Sequence, residues 1–359
     1  MMPTGGDREA EQTVAALMRA DAALGDEYEV RTIPLADDDE GEVVATLVHR
    51  IPEPTARRNG NAVLYIHGFS DYFFQTELAD FHARRGTDFF AIDLRKYGRS
   101  LLPHQSPAYV TDLRDHFPEL DAAAKIIREE YGASRLILNG HSTGGLIGAI
   151  WAHWVRERGL VDGVVLNSPW LDMQGSWLIR TPGTEAMDVI GKVQPRAVIR
   201  GNGTGVYGYS LHRDQHGEWE FDLTWKPLGG FPVRAGWFRA IRRAHRWVHY
   251  GLDIRCPVLV MCSTGSLFPR TWHEDALSND TVLDADQIAK WSPKLGRHIT
   301  LIRIEGGMHD LVLSAKPVRE RVYEETARWL DAYLPEEPAV GGQGYGRSRD
   351  GSQSGDSAG

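Results

Sequence analysis

Short apolar runs alternate with amphipathic stretches along most of this 359-residue chain. Six runs read as buried strands: Ala62 to His67, Asp88 to Asp93, Arg135 to Asn139, Gly163 to Asn167, Val258 to Cys262 and Ile299 to Ile304. Each is too short for a stable helix and rich in apolar residues. Helical spacing falls between and after them, near Phe74 to Arg85, Phe117 to Tyr131, Gly144 to Arg158, Asp284 to Trp291 and Lys316 to Leu334. Upstream, Tyr28 to Leu35 and Glu42 to Ile51 read as two strands joined by the acidic turn Asp37 to Gly41, a hairpin loop. Residues 8 to 24 predict a short amphipathic helix, with Val14, Leu17, Met18 and Leu24 at helical spacing. Strands alternating with helices imply crossover connections and a mostly parallel sheet covered on both faces. The last helix is expected to face the sheet with Val318, Val322, Trp329 and Tyr333.

The alternation breaks between Leu171 and Asp253, a stretch with five of the eleven tryptophans and a basic helical segment, Trp237 to Tyr250. An insertion there would sit over the carboxyl ends of the strands, where open α/β sheets place their ligands. The expected organisation is a core of residues 1–171 and 253–334, an inserted cap or lid of 172–252, and a disordered tail of 335–359, rich in Gly, Ser and charge.

The net charge of −9 argues against nucleic acid as a partner, because phosphate binding needs a basic surface. Cys256 and Cys262 fall on one predicted strand, too far apart along it to bridge, so a reducing compartment is expected. The first thirty residues carry seven carboxylates and no long apolar run, and nowhere do eighteen apolar residues follow one another. A cytoplasmic, soluble protein without stable membrane insertion is expected.

The chemistry concentrates where the strand Arg135 to Asn139 runs into Gly140-His141-Ser142-Thr143-Gly144 and a small-residue helical pattern. A strand, a sharp turn and a helix in that order form a nucleophile elbow with Ser142 at its tip. A serine hydroxyl is a weak nucleophile without a base and a group that holds the base. His309, in the loop after the last strand in Gly306-Gly307-Met308-His309, is the candidate base. Glu274, Asp275, Asp280, Asp284 and Asp286 are candidate acids. Asp284 opens a helix as a capping residue, whereas Asp280 has no such local duty and is preferred. The backbone N–H groups of Phe69, after His67-Gly68, and of Thr143 are the expected oxyanion hole. Asp93 to Ser100 carries charges expected to fix loop geometry, and Arg239, Arg242, Arg243 and Arg246 read as a solvated cap face. With no His-Glu-x-x-His spacing and no glycine-rich phosphate loop, neither a metal nor a cofactor is expected.

Across about residues 27 to 334 the chain resembles the α/β-hydrolase superfamily. The resemblance is closest to the branch of monoacylglycerol lipases, lysophospholipases and serine-aminopeptidase-like hydrolases. Tyr65-Ile-His-Gly-Phe69, Asp93-Leu-Arg-x-Tyr-Gly-x-Ser100, Gly140-His-Ser-Thr-Gly-Gly145 and Gly306-Gly-Met-His309 carry it. The resemblance implies an α/β-hydrolase fold and a Ser142, Asp280, His309 catalytic triad under a mobile cap. The loop before Asp280 is longer than the family pattern, and the cap is long and Trp-rich. The expected activity is cofactor-independent serine hydrolysis of a small-molecule carboxylic ester, lysophospholipase- or monoacylglycerol-lipase-like. Acyl transfer, or amide or carbon–carbon bond cleavage, could use the same residues, and a non-catalytic ligand receptor is a further alternative.

Overall fold

The computed structural model describes residues 18–21, 23–53, 55–173, 190–201 and 203–335. Nine strands form one sheet: β1 (Met18–Asp21), β2 (Gly25–Asp38), β3 (Gly41–Arg50), β4 (Asn61–Ile66), β5 (Asp88–Asp93), β6 (Arg135–His141), β7 (Gly163–Asn167), β10 (Val258–Ser263) and β11 (Ile299–Ile304). Their order is β1-β2-β3-β5-β4-β6-β7-β10-β11. The pairs β1/β2, β2/β3 and β3/β5 are antiparallel, and from β5 onward every pair is parallel. Two further short strands, β8 (Val198–Arg200) and β9 (Val233–Arg234), pair apart from this sheet.

The central strands β4, β5, β7 and β10 are buried on both faces, whereas the outer strands β2 and β11 are partly exposed. In β4, Ala62, Leu64 and Ile66 enter one core and Val63 and Tyr65 the other, all at 0% exposure. Alternate side chains of a strand point to opposite faces, so a continuous apolar run marks a strand covered twice. Helices α1 (Thr76–Arg84) and α7 (Lys316–Tyr333) cover the second core with Leu78, Phe81, Val322 and Trp329. Helices α2 (Phe117–Lys125) and α3 (Ser142–Trp154) cover the first with Leu120, Ile147 and Trp151. Further helices among the described residues include α4 (Val206–Leu211), α5 (Ala235–Tyr250) and α6 (Ala285–Trp291). The chain leaves β4 to pair β5 on one side and returns to pair β6 on the other. Such a reversal opens a crevice at the carboxyl ends of the strands, and Ser142 lies there, at the end of β6.

Several expectations are corrected. Residues 18–21 are a strand paired with β2 and residues 23–24 a turn, not the end of a helix; residues 8–17 and 22 of that helix lie outside the described residues. The β1 register to β2, Met18 opposite Arg31 through Ala20 opposite Glu29, shows that strand pairing overrides the weak helical spacing. Tyr333 is 38% exposed, with its ring edge-on to His298 rather than against the sheet. Cys256 precedes β10 instead of lying on it, and both cysteines are free, with burial pushing their thiols up to about 12. The acidic turn does more than close a hairpin. Lys96, fully buried, bonds Asp38 and Glu40 at 2.6 and 2.7 Å, and Arg196 bonds Asp39 and Glu40. Of the basic face on α5, Arg246 is exposed, while Arg243 reaches Asp112 at 3.1 Å. Among the described residues no helix is long and apolar enough to cross a membrane. The tail beyond residue 335 and residues 174–189 of the cap lie outside the described residues.

Candidate active site

The turn between β6 and α3 is built around backbone contact. A Cβ on Gly144 would lie 2.2 Å from the carbonyl oxygen of His67, and one on Gly140 2.8 Å from Gly145 Cα. Neither backbone can move without dismantling the strand–helix junction, so both positions must lack a side chain. Ser142 between them has φ of +53°, a left-handed conformation that costs an L-residue free energy and is held here by the surrounding packing. Its hydroxyl points into the crevice, 2.9 Å from His309 Nε2.

His309 lies in the loop after β11, 2% exposed, and its Nδ1 is 2.9 Å from Asp280 Oδ2. Asp280 is fully buried, and its other oxygen accepts the N–H groups of Val282 and Leu283 at 2.8 and 2.7 Å. The long loop after β10 folds back on the strand end. Asp280 N donates to Gly265 O at 3.0 Å, and Leu267 N donates to Asp280 O at 2.9 Å. Distance along the chain is thereby cancelled, and the carboxylate stands beside β10 like a residue next to the strand. Asp284 instead accepts from Asp286 N at the start of α6, the capping duty read from the sequence. Glu274, Asp275 and Asp286 are exposed.

The peptide between Gly68 and Phe69 is oriented from below. His67 Nε2 accepts the Leu94 N–H at 3.1 Å, which leaves the proton on Nδ1 to be donated to Gly68 O at 2.8 Å. In a trans peptide the N–H points opposite to the C=O, so fixing the Gly68 carbonyl also fixes the Phe69 N–H. A Cβ on Gly68 would meet Ser142 Cβ at 3.2 Å, so this backbone runs directly against the serine. Thr143 belongs to the first turn of α3, where backbone N–H groups have no intrahelical acceptor. The Asp93 carboxylate braces the same loop, accepting Phe73 N at 2.9 Å and Arg99 N at 3.0 Å.

Sequence reasoning missed a second buried polar group behind the serine. Asp310 accepts Asn167 Nδ2 at 2.6 Å and Gln75 Nε2 at 3.2 Å, and lies 3.9 Å from His141 Nε2. Asp71 accepts Lys226 Nζ at 2.7 Å. Burial pulls the Asp71 carboxyl up, but its surroundings, the Lys226 ammonium first among them, outweigh burial and leave the group below its ordinary range. Burial holds His141 below the usual imidazole value. Asp71, His141 and Asp310 bring one ligand atom each within 4.8 Å of one another, a spacing a cation could use. The Lys226 ammonium already supplies a positive charge to this group, and amide donors engage Asp310, so the donor set suits that ammonium better than a divalent ion. The signals were faint: Asp71 and Asp310 each lie within three residues of a motif glycine or histidine, but Lys226 is distant in sequence from both.

Residues 57–314 match the family model Hydrolase_4, described as serine aminopeptidase, S33. Among solved structures, a soluble variant of monoglyceride lipase from Saccharomyces cerevisiae aligns with a TM-score of 0.60 at 18% identity, covering 84% of this chain and 94% of its own. The monoacylglycerol lipase of Paleococcus ferrophilus gives 0.56 at 17% identity, covering 77% and 96%. A thermostable carboxyl esterase from Bacillus coagulans gives 0.58 at 12% identity, covering 85% and 99%. At these identities the likeness is one of fold. No curated protein matches the chain in sequence. The family match spans the elbow, the loop of Asp280 and His309, and the chain belongs to the serine aminopeptidase S33 family of α/β-hydrolases: it is a serine hydrolase.

Proposed function

We propose that Ser142, His309 and Asp280 act as a catalytic triad that hydrolyses carboxylic esters without a cofactor. The observation that carries this reading is the unbroken line from Ser142 Oγ through both ring nitrogens of His309 to Asp280, at 2.9 Å for each step. Ser142 Oγ attacks the ester carbonyl while His309 Nε2 takes its proton, and Asp280 holds the ring and faces the imidazolium that forms. The N–H groups of Phe69 and Thr143 receive the oxyanion. His309 then protonates the leaving alcohol, and water, activated by the same ring, releases the acyl group from Ser142.

The preferred substrates carry an acyl chain, as monoacylglycerols and lysophospholipids do. Aromatic side chains beside the serine support this. The backbone N–H of Trp170 donates to Ser142 O at 3.0 Å, which places this residue beside the serine, and its ring lies 5.8 Å from Trp237, which lies 4.2 Å from Phe69. The monoglyceride and monoacylglycerol lipases among the similar folds point the same way. The aminopeptidase description of the family favours a second reading, cleavage of an amide by the same residues. Turnover of p-nitrophenyl esters from acetate to palmitate, beside an aminoacyl p-nitroanilide, separates the two. The expected result is ester turnover with a chain-length optimum, reduced by about 10⁴-fold or more in Ser142→Ala. Anilide turnover without ester turnover would replace the ester reading.

A further inference from the structure

Three consecutive residues directly after Phe69 are each held by the cap. Ser70 Oγ accepts Phe231 N at 2.7 Å, Asp71 accepts Lys226 Nζ at 2.7 Å, and Tyr72 Oη accepts Asp222 N at 2.7 Å. The Trp225 ring meets Tyr72 edge-on at 5.1 Å, and Arg99 lies over both rings. The contacts come from one short stretch of the cap, Asp222 to Phe231, and reach one short stretch of the core.

The middle contact differs in kind from its neighbours. Lys226 and Asp71 are 6% and 1% exposed, and the ammonium lies 5.4 to 5.7 Å from the ring centres of Phe74, Tyr207 and Phe221. A buried ion pair in apolar surroundings tolerates little displacement, because separating the charges there is far more costly than in water. The backbone it holds is also strained. Ser70 has φ of +52°, which a serine keeps only where its surroundings over-determine it. That backbone continues directly from the Phe69 N–H. His67 fixes this N–H from the core side, and the three cap contacts fix it from the other.

We propose that the Lys226–Asp71 pair is a positioning device that sets the oxyanion loop through the seating of the cap. The Phe69 N–H is then aimed at the reacting carbonyl only while the Asp222–Phe231 segment is docked. Lys226 touches neither substrate nor Ser142; it acts through Asp71 and the Ser70 backbone. This inference rests on the assignment of Phe69 as an oxyanion donor. It predicts that the pair contributes to the chemical step and not to ground-state binding of the ester.

The test compares wild type with Lys226→Met, Asp71→Asn/Lys226→Met and Arg196→Ala, the last breaking a cap contact to the β2–β3 turn far from the loop. Three readouts are taken: kcat and KM for p-nitrophenyl butyrate, inhibition by an alkyl trifluoromethyl ketone, and amide hydrogen exchange over residues 68–75. Loss of an oxyanion donor costs about 10²–10³-fold in kcat, so a misaimed one should cost roughly 10- to 100-fold. In Lys226→Met, kcat should fall by that factor with KM within about threefold, the ketone should weaken in parallel, and exchange over 68–75 should rise. The double variant removes both charges and should recover thermal stability, yet kcat should stay low. Arg196→Ala should leave all three readouts near wild type. If kcat recovers together with stability in the double variant, the pair is merely structural and the proposal fails. Unchanged exchange over 68–75 in Lys226→Met also overturns it. If wild type turns over no ester, the ester reading falls, and the exchange result alone decides whether the loop depends on the cap.

Discussion

The interior of the sheet and the rim where the cap meets the serine loop are held by different physics. In β4 and β5 every residue is buried and the contacts are apolar on both faces. The described part of the cap is thinner. The strands of its two-stranded sheet are exposed or half-buried, with Val198 at 53%; α5 joins the first core with Trp237, Ile241 and Val248, and near the serine the cap meets the core through an ion pair and backbone hydrogen bonds. Apolar burial is non-directional and scales with area, so it confers stability and tolerates small shifts. Polar contacts are directional, so they transmit position. Damage to the sheet should therefore appear in the unfolding transition, and damage at the polar rim should appear in turnover.

The largest expected effect tests the rim. Asp280→Asn keeps the shape but loses the negative partner of His309, and should lower kcat about 10³- to 10⁴-fold with little change in melting temperature. Asp284→Ala, on the neighbouring helix start, should reverse the pattern. It should lose about 1 kcal/mol of stability with turnover intact, as chemical denaturation and the same assay would show. Equal losses of turnover in both variants would erase the distinction between the two carboxylates.

Trp151→Ala probes the sheet side. The side chain is fully buried against the first core, and its removal should cost about 3–5 kcal/mol in denaturant unfolding. The folded fraction should keep wild-type KM. A changed KM with unchanged stability would contradict the division between core and cap.

A pH series compares one buried histidine from each region. Burial, with Arg85 nearby, pushes His82 of α1 down to about 3, and burial pushes His245 of α5 down to about 3 despite its bond to Trp170 O at 2.9 Å. The unfolded chain, titrating near 6.5, binds a proton that the folded chain refuses. Stability is thus fully present above about pH 6.5 and falls as pH drops toward 3. Melting temperatures between pH 7 and 4 should decline, and His82→Leu should decline less steeply. The smallest effect belongs to Arg196→Ala, whose partly exposed ion pairs should contribute no more than about 1 kcal/mol, and less in high salt.

Much of this was legible because it is local. The bounds of β5, β7 and β11 coincide with the apolar runs; in β5 and β7 the reason is cover on both faces, which leaves an uninterrupted signature, whereas β11 is a partly exposed edge strand. The elbow was legible because its strand, its Gly140-x-Ser142-x-Gly144 turn and its helix follow one another in the chain, and Gly140 answers to Gly144 and Gly145, although the contact that bars a side chain at Gly144 comes from distant His67. The end of the N-terminal helix was misread because residues 18–21 are too few for their own spacing to outweigh a neighbouring strand. The acidic turn looked like a loop because its partners, Lys96 and Arg196, lie far along the chain.

The sequence by itself determined the α/β alternation, the turn that exposes Ser142, and the histidine after the last strand, because each depends on periodicity or on contacts between near neighbours. Which carboxylate reaches His309 was decided only by the tertiary structure, through a loop that folds back onto β10 and brings Asp280 to it. The same holds for the pairing of Lys226 with Asp71, two charges that no spacing in the chain connects. A buried ion pair is selected by three-dimensional proximity and by the exclusion of water around it, and neither quantity is written in one dimension.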